Sequence, residues 1–350
     1  MKLWRLIFLP LSLIYGIIVY IRNKLYEYKI LHSTSFNIPI ISVGNLCTGG
    51  SGKTPHVEYL IKLLSDKYNV AVLSRGYKRN TNNFIVANTS TQWQQIGDEP
   101  MQYFKKFNNI IVAVDRKRKN GIYNLIKLYK NLSVILLDDA YQHRQVKPGL
   151  SILLTDYYHP YYNDYLLPTG NLREPPSEAK RADIIIVTKC PEVLSPITIK
   201  SIKEKLKPTP HQQVYFSYIK YENICPVPGI KMPNLPPKIY SILLIAGIAN
   251  TYPLEEYLKK ICLEIEIIKF PDHHKFLNKD ITFIFEKFHN IVTKNKILIT
   301  TEKDLIRLEK HEMFNLLREL PFFYIPMQIE FHKNYKNQFD QKILNYVRKN

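Results

Sequence analysis

Cysteine is scarce in this chain. Four cysteines stand in 350 residues, Cys47, Cys190, Cys225 and Cys262, and no two form a C-x-x-C pair. That spacing excludes a zinc ribbon and a disulfide framework, and scattered thiols suit a reducing compartment. A long apolar run is also missing from the N-terminus. The stretch 6–21 is uncharged, but it is shorter than the ~20 residues that cross a bilayer core, and Pro10 interrupts it. It has no A-x-A-like cleavage site, which argues against a removed signal peptide. Acidic residues are outnumbered, 30 against 49 Lys and Arg, for a net charge of +19. That excess favours an anionic partner: nucleic acid, an acidic membrane face or a phosphorylated substrate. The basic residues are dispersed and form no aromatic-interleaved cluster, so nucleic acid is not expected. There is no internal repeat.

What is present is enough apolar material for a large core, at 45% hydrophobic residues with 25 tyrosines and 16 phenylalanines. The length suits two domains of ordinary size. Basic residues flank the uncharged stretch, Lys2 and Arg5 before it, Arg22 and Lys24 after. A helix lying in a membrane interface fits that pattern; the alternatives are a buried N-terminal helix and a single spanning one. Short, nearly continuous apolar runs then follow at 38–43, 70–73, 110–114, 134–137, 151–154 and 184–187, with helical patterns between several of them, as at 121–129. Buried parallel strands read this way, and the pattern predicts a doubly wound α/β domain. Prolines crowd 208–237, which marks a linker. Strands at 241–246, 265–270 and 296–300 alternate with helices at 253–260, 279–288 and 303–309, and a basic helical tail starts near Lys333. The expected division is a membrane-associated helix over 1–30, a first domain over 31–207, a linker over 208–237 and a smaller α/β domain over 238–350.

The densest signal is Cys47-Thr48-Gly49-Gly50-Ser51-Gly52-Lys53-Thr54, between the first strand and a helical pattern. Glycines let backbone N–H groups close around phosphate oxygens. The lysine reaches the terminal phosphates of a nucleoside triphosphate, and the threonine hydroxyl can ligate magnesium. Cys47 stands where the usual pattern has its first glycine.

Further polar groups end the predicted strands, at the rim where such sheets bind ligands. The run 134–137 ends in Asp138-Asp139-Ala140-Tyr141-Gln142-His143-Arg144. An acid there can hold magnesium or its water shell. Arg75-Gly76-Tyr77 follows the second strand, Asp115-Arg116 ends the third, and Leu172-Arg173-Glu174-Pro175 adds an Arg–Glu pair. Arginines at one rim suit phosphate, though each alone would serve a surface ion pair. Gly97-Asp98-Glu99-Pro100 is either a turn with Asp98 as N-cap or a general base beside a metal contact. Asp272-His273-His274 is either part of a metal site or the support of a catalytic imidazole. Thr301-Glu302-Lys303-Asp304 is a capped helix start.

In this order the motifs resemble the tetraacyldisaccharide 4'-kinase family over nearly the whole chain. That family also lacks the first glycine of the usual phosphate loop. Ala140-Tyr141 departs from its usual Gly-Phe. The resemblance implies a P-loop kinase core with a smaller C-terminal α/β domain and a peripheral position on the cytoplasmic face of the bacterial inner membrane. It implies ATP and Mg²⁺, and phosphorylation of the 4'-hydroxyl of an acylated glucosamine disaccharide 1-phosphate to give lipid IVA, with no obligate protein partner. It implies Asp98 as general base with His273, whose domain would close over the substrates. It implies Thr54, Glu99 and Asp138 at the metal, and Tyr77, Arg116, Asp139, Gln142, His143, Arg173 and Glu174 at substrate or phosphate. The alternative is a membrane-associated P-loop ATPase that drives a partner protein; it would use the same loop and Asp138 without Asp98 or His273.

Overall fold

A computed structural model describes residues 3–77, 79–232, 234–248, 250–271, 274–332 and 335–349. His273 and its neighbour Asp272 lie outside them. The strands are β1 (Ile40–Asn45), β2 (Val70–Ser74), β3 (Ile85–Val86), β4 (Ile111–Val114), β5 (Val134–Asp138), β6 (Leu150–Asp156), β7 (Ile184–Thr188), β8 (Gln213–Tyr221), β9 (Cys225–Pro226), β10 (Ser241–Ala246), β11 (Glu264–Lys269), β12 (Lys296–Thr301), β13 (Phe322–Ile325) and β14 (Met327–Phe331). The helices are α1 (Leu9–Glu27), α2 (Lys53–Leu64), α3 (Trp93–Ile96), α4 (Asp98–Lys106), α5 (Arg118–Leu128), α6 (Pro196–Leu206), α7 (Tyr252–Leu258), α8 (Asn278–Asn290), α9 (Glu302–Leu308), α10 (Phe314–Leu317) and α11 (Tyr335–Lys349).

Among the described residues the strands form a nine-stranded sheet, ordered β14-β8-β7-β6-β1-β5-β2-β4-β3, and a five-stranded one, β11-β10-β12-β13-β9. From β8 to β4 the first sheet is parallel throughout, and β3 is an antiparallel edge. The doubly wound α/β class is the observed one. Strands β1, β2, β5 and β7 are buried at every position. That is why they read as unbroken apolar runs and not as alternation. With β1 central, its carboxyl end and that of β5 meet at one rim.

The chain divides into two compact units, 1–219 with 329–350, and 220–328. Both ends of the second stretch differ from the division expected above. The proline-rich 208–237 contains all of β8, a member of the first sheet; its prolines flank the strand and leave it intact. The tail expected in the C-terminal domain returns to the first unit. Ile329 and Phe331, with Phe339, Ile343 and Val347 of α11, are buried in the core that holds Val57 and Leu60 of α2. Burial of that apolar face outweighs chain proximity.

The N-terminal stretch is a short 3-10 segment, Leu3–Phe8, leading into α1. Pro10 does not interrupt the helix. It sits in the first turn, where its missing N–H is not needed. The uncharged stretch therefore belongs to an unbroken helical segment, Arg5–Glu27, long and apolar enough by length and composition to cross a membrane.

Candidate active site

The phosphate loop lies at the carboxyl end of β1. Gly49 and Gly52 have φ of 105° and 83°, conformations that a side chain would strain. Gly52 caps α2, so Lys53 and Thr54 open that helix as expected. Asn45, at the end of β1, donates from Nδ2 to Ser51 Oγ at 2.8 Å, and Lys53 Nζ lies 3.4 Å from its Oδ1. The segment 46–48 is tied to the Leu172-Arg173 loop: Thr48 N donates to Asn171 O at 2.7 Å, and Arg173 N to Leu46 O at 2.7 Å. Burial pushes the Cys47 thiol up to about 12, so it stays protonated and unreactive.

The two aspartates of β5 divide into separate roles. Asp138 is buried and accepts from Ser74 Oγ at 3.2 Å and Tyr103 OH at 3.4 Å. The Tyr103 hydroxyl also interacts with the Thr54 side chain, so it links two of the three expected magnesium ligands. Burial pushes the Asp138 carboxyl up to about 6, and the nearby Asp139 and Glu99 charges add to the effect. Asp139 turns the chain in the left-handed region, φ 48°. Its Oδ1 lies 3.5 Å from Lys53 Nζ and its Oδ2 3.3 Å from Arg173 Nη1. Burial pushes Asp139 up, but Lys53 and Arg173 outweigh it and hold the carboxyl below its usual value. Lys53, Asp139 and Arg173 thus form one chain of charge at the mouth of the loop.

The residues present fit a divalent cation. Burial and the neighbouring Asp139 and Glu99 charges both disfavour a bare negative charge on Asp138, and the Thr54 side chain reaches the Tyr103 hydroxyl that bonds Asp138. Among the described residues no three His, Cys, Asp or Glu side chains form a closed metal cage. Mg²⁺ does not require one, because beside phosphates it takes one or two carboxylates and keeps waters.

Two interlocked glycine turns bring in α4. A Cβ on Gly76 would stand 2.7 Å from Ile96 O, and one on Gly97 3.0 Å from Tyr77 O. The Arg75-Gly76-Tyr77 and Gly97-Asp98-Glu99 turns therefore pack backbone to backbone. Gly97, not Asp98, is the N-cap of α4. Asp98 and Glu99 occupy its first turn, and Asp98 is buried.

Other expected residues separate into rim and support. Arg116 and Tyr77 are exposed at strand ends. Gln142 reaches back, Nε2 donating to Asn45 O at 2.8 Å. Burial, with Arg118 and Arg75 nearby, pulls the His143 imidazole down to about 4, so it is neutral at pH 7. Glu174 is not at the rim: it is fully buried and paired with Arg181. Tyr141, the departure from Gly-Phe, has a use for its hydroxyl, which donates to Glu178 O at 2.7 Å. Gly44 admits this turn, since a Cβ there would stand 2.7 Å from Tyr141 Cβ.

Sequence reasoning missed Tyr103 and Arg118. Tyr103 follows Glu99 by four residues, one helical turn on the same face, which was a readable signal. Arg118 is almost fully buried and donates to Asp115 O at 2.7 Å and Asp138 O at 3.0 Å. Nothing in Asp115-Arg116-Lys117-Arg118 says which arginine turns inward.

A family model described as tetraacyldisaccharide-1-P 4'-kinase matches residues 4–347. The tetraacyldisaccharide 4'-kinase of Flavobacterium psychrophilum is 48% identical over 341 residues, covering 97% of this chain and 95% of that protein. Its counterpart in Bacteroides thetaiotaomicron is 46% identical over 358 residues, covering 97% of this chain and 93% of that one. A solved structure of LpxK from Aquifex aeolicus, described as an apo form in complex with ATP, superposes with a TM-score of 0.72 at 27% identity over 99% of both chains. The fold, the order of the site motifs and these matches agree: the chain belongs to the tetraacyldisaccharide-1-phosphate 4'-kinase family.

Proposed function

We propose that this chain transfers the γ-phosphoryl group of ATP to the 4'-hydroxyl of a tetraacylated glucosamine disaccharide 1-phosphate, forming lipid IVA in lipid A synthesis. The observation that carries this reading is the charge chain Lys53–Asp139–Arg173, set between the phosphate loop and the rim. Lys53 and the loop amides hold the phosphates; Thr54, Asp138 and Glu99 are the residues that would hold Mg²⁺, which would supply charge neutralisation. Asp98 accepts the proton of the attacking hydroxyl. The O4'–P bond forms as the bond from phosphorus to the β,γ-bridging oxygen breaks, and ADP leaves. Tyr77, Arg116, Gln142, His143 and Arg173 contact the sugar phosphate. Family membership disfavours an ATPase acting on a partner protein.

Helix α1 supports a peripheral membrane position. Ser12, Tyr15, Val19 and Asn23 form the face turned to the first unit. Ser12 Oγ is 2.7 Å from Thr169 Oγ1, Tyr15 OH donates to Arg173 O at 2.8 Å, and Arg144 Nη1 donates to Asn23 O at 3.1 Å. Ile7, Leu11, Leu13, Ile14, Ile17, Ile18 and Ile21 are exposed on the rest. A helix held sideways along its length supports one-sided insertion from the cytoplasmic face and argues against crossing.

The test is turnover by Lys53→Ala, Thr54→Ala and Asp98→Ala with ATP and the acylated acceptor. Each loses transition-state interactions of several kcal/mol and is expected to fall at least 100-fold in kcat while remaining folded. Near-normal turnover in any of them removes that residue from the mechanism. ATP hydrolysis at full rate without acceptor would favour the ATPase.

A further inference from the structure

Behind the phosphate loop, two buried side chains outside its motif grip its carbonyl groups. His56 is 3% exposed. Its Nδ1 lies 2.7 Å from Gly52 O and its Nε2 3.0 Å from Ser217 Oγ on β8. A carbonyl oxygen only accepts, so Nδ1 carries the proton and Nε2 accepts from the Ser217 hydroxyl. The same Gly52 oxygen takes the His56 backbone N–H at 3.3 Å. One residue earlier, Thr188 at the end of β7 is fully buried, and its Oγ1 donates to Ser51 O at 3.0 Å.

The consequence lies in the peptide plane. The Ser51–Gly52 and Gly52–Lys53 peptides are trans, so each N–H points opposite to the carbonyl of its own plane. Pulling Ser51 O inward toward Thr188 turns the Gly52 N–H outward. Pulling Gly52 O inward toward His56 turns the Lys53 N–H outward. Two consecutive amides at a helix start, facing out beside the Lys53 ammonium, make an anion cradle. The sheet holds this cradle at both peptides, through β7 and through β8.

We propose that His56 and Thr188 are positioning residues that aim the backbone N–H groups of Lys53 and Gly52 at the nucleotide phosphates. This rests on ATP being the phosphoryl donor. Neither side chain touches the nucleotide; each acts through a carbonyl on the far side of the peptide.

The experiment measures KM for ATP and for the acylated acceptor separately, and the Kd for ATP without acceptor, on full-length variants. His56→Leu keeps the bulk and loses the donor. His56→Asn places an amide N–H where Nδ1 stood. Thr188→Val and Thr188→Ser form the second pair. One neutral hydrogen bond is worth about 1 kcal/mol, or roughly fivefold. His56→Leu and Thr188→Val are therefore expected to raise the ATP KM and Kd about 5-fold, with the acceptor KM changed less than about 2-fold. His56→Asn and Thr188→Ser are expected to recover most of that loss. Equal ATP constants within each pair, or equal shifts in both KM values, would overturn the proposal. If His56→Leu does not fold, the Thr188 pair decides by the same criterion. The Kd needs no acceptor chemistry, so its outcome stands apart from that of the kinase reading, which fails only if wild-type turnover does not need the acceptor.

Discussion

At the scale of single residues, the site sorts similar side chains into different work. Asp138 and Asp139 are adjacent, yet burial raises the first toward neutrality while Lys53 and Arg173 hold the second ionised. Tandem histidines present the same question in the second unit. His274 is already engaged: Nε2 lies 2.8 Å from Asp280 Oδ2, and the ring stacks on Phe270 at 4.6 Å between centroids. The same Asp280 oxygen accepts the Leu277 N–H at the start of α8. His274 therefore reads as a latch on that helix start, which favours His273, outside the described residues, for the imidazole proposed above. His274→Ala is expected to lower stability by about 1–2 kcal/mol with kcat within about 3-fold. His273→Ala is expected to lower kcat at least 100-fold at unchanged Tm. Thermal melts and steady-state kinetics check both, and a dead but stable His274→Ala would reverse the assignment. The sequence made the pair visible but could not rank its members, because the distinction is made by Asp280 and Phe270 through side-chain geometry.

At the scale of elements, α1 shows what a pattern of apolar residues leaves open. Its charge-free run was legible, and so was its amphipathic use of basic flanks. Which face docks was not, because Ser12, Tyr15 and Asn23 find their partners about 120–160 positions away in sequence. Gly16 marks a close approach, where a Cβ would stand 2.9 Å from Leu166 Cδ1. The exposed apolar face is the membrane contact proposed above, and it is separable from the docked face. Fully burying an isoleucine side chain is worth about 1.5–3 kcal/mol. Replacing Ile14, Ile17 and Ile18 together by Ser is expected to reduce partitioning onto vesicles of bacterial phospholipid at least 100-fold. Turnover of detergent-dispersed acceptor is expected to stay within about 3-fold, since none of the three is on the docked face. Vesicle sedimentation and a detergent assay read the two effects. Unchanged sedimentation would remove the helix from the membrane contact.

At the scale of the whole molecule, buried titrating groups set how the fold meets acid. Burial lowers both His56 and His143 to about 4, the latter with help from Arg118 and Arg75. Each is neutral in the folded chain, and the unfolded chain takes up its proton first, near pH 6.5. The stability from neutral burial is thus complete above pH 6.5 and is lost as pH falls toward about 4. Asp138 runs the other way: raised to about 6, it binds its proton earlier in the folded state and favours folding as pH falls through 6. Two imidazoles against one carboxyl leave a net loss on the order of 2 kcal/mol, discounted for the partial exposure of His143. Tm is expected to drop between pH 7 and 4.5, and His143→Gln to flatten that drop. A Tm constant or rising over the range would contradict it.

The sequence by itself determined the chemistry and the class of fold. Glycine-rich loop, strand-end acids and rim arginines are local patterns, and strands buried on both faces write themselves as unbroken apolar runs. Only the tertiary structure decided which residues share a site and which support it. The return of 329–350 to the first unit, the inward turn of Arg118, the burial of Glu174 against Arg181 and the grip of His56 and Thr188 on the loop all join positions far apart in the chain or choose between equivalent neighbours. Hydrogen-bond partners of buried polar groups are chosen by distance in space, and periodicity along the chain carries no record of that distance.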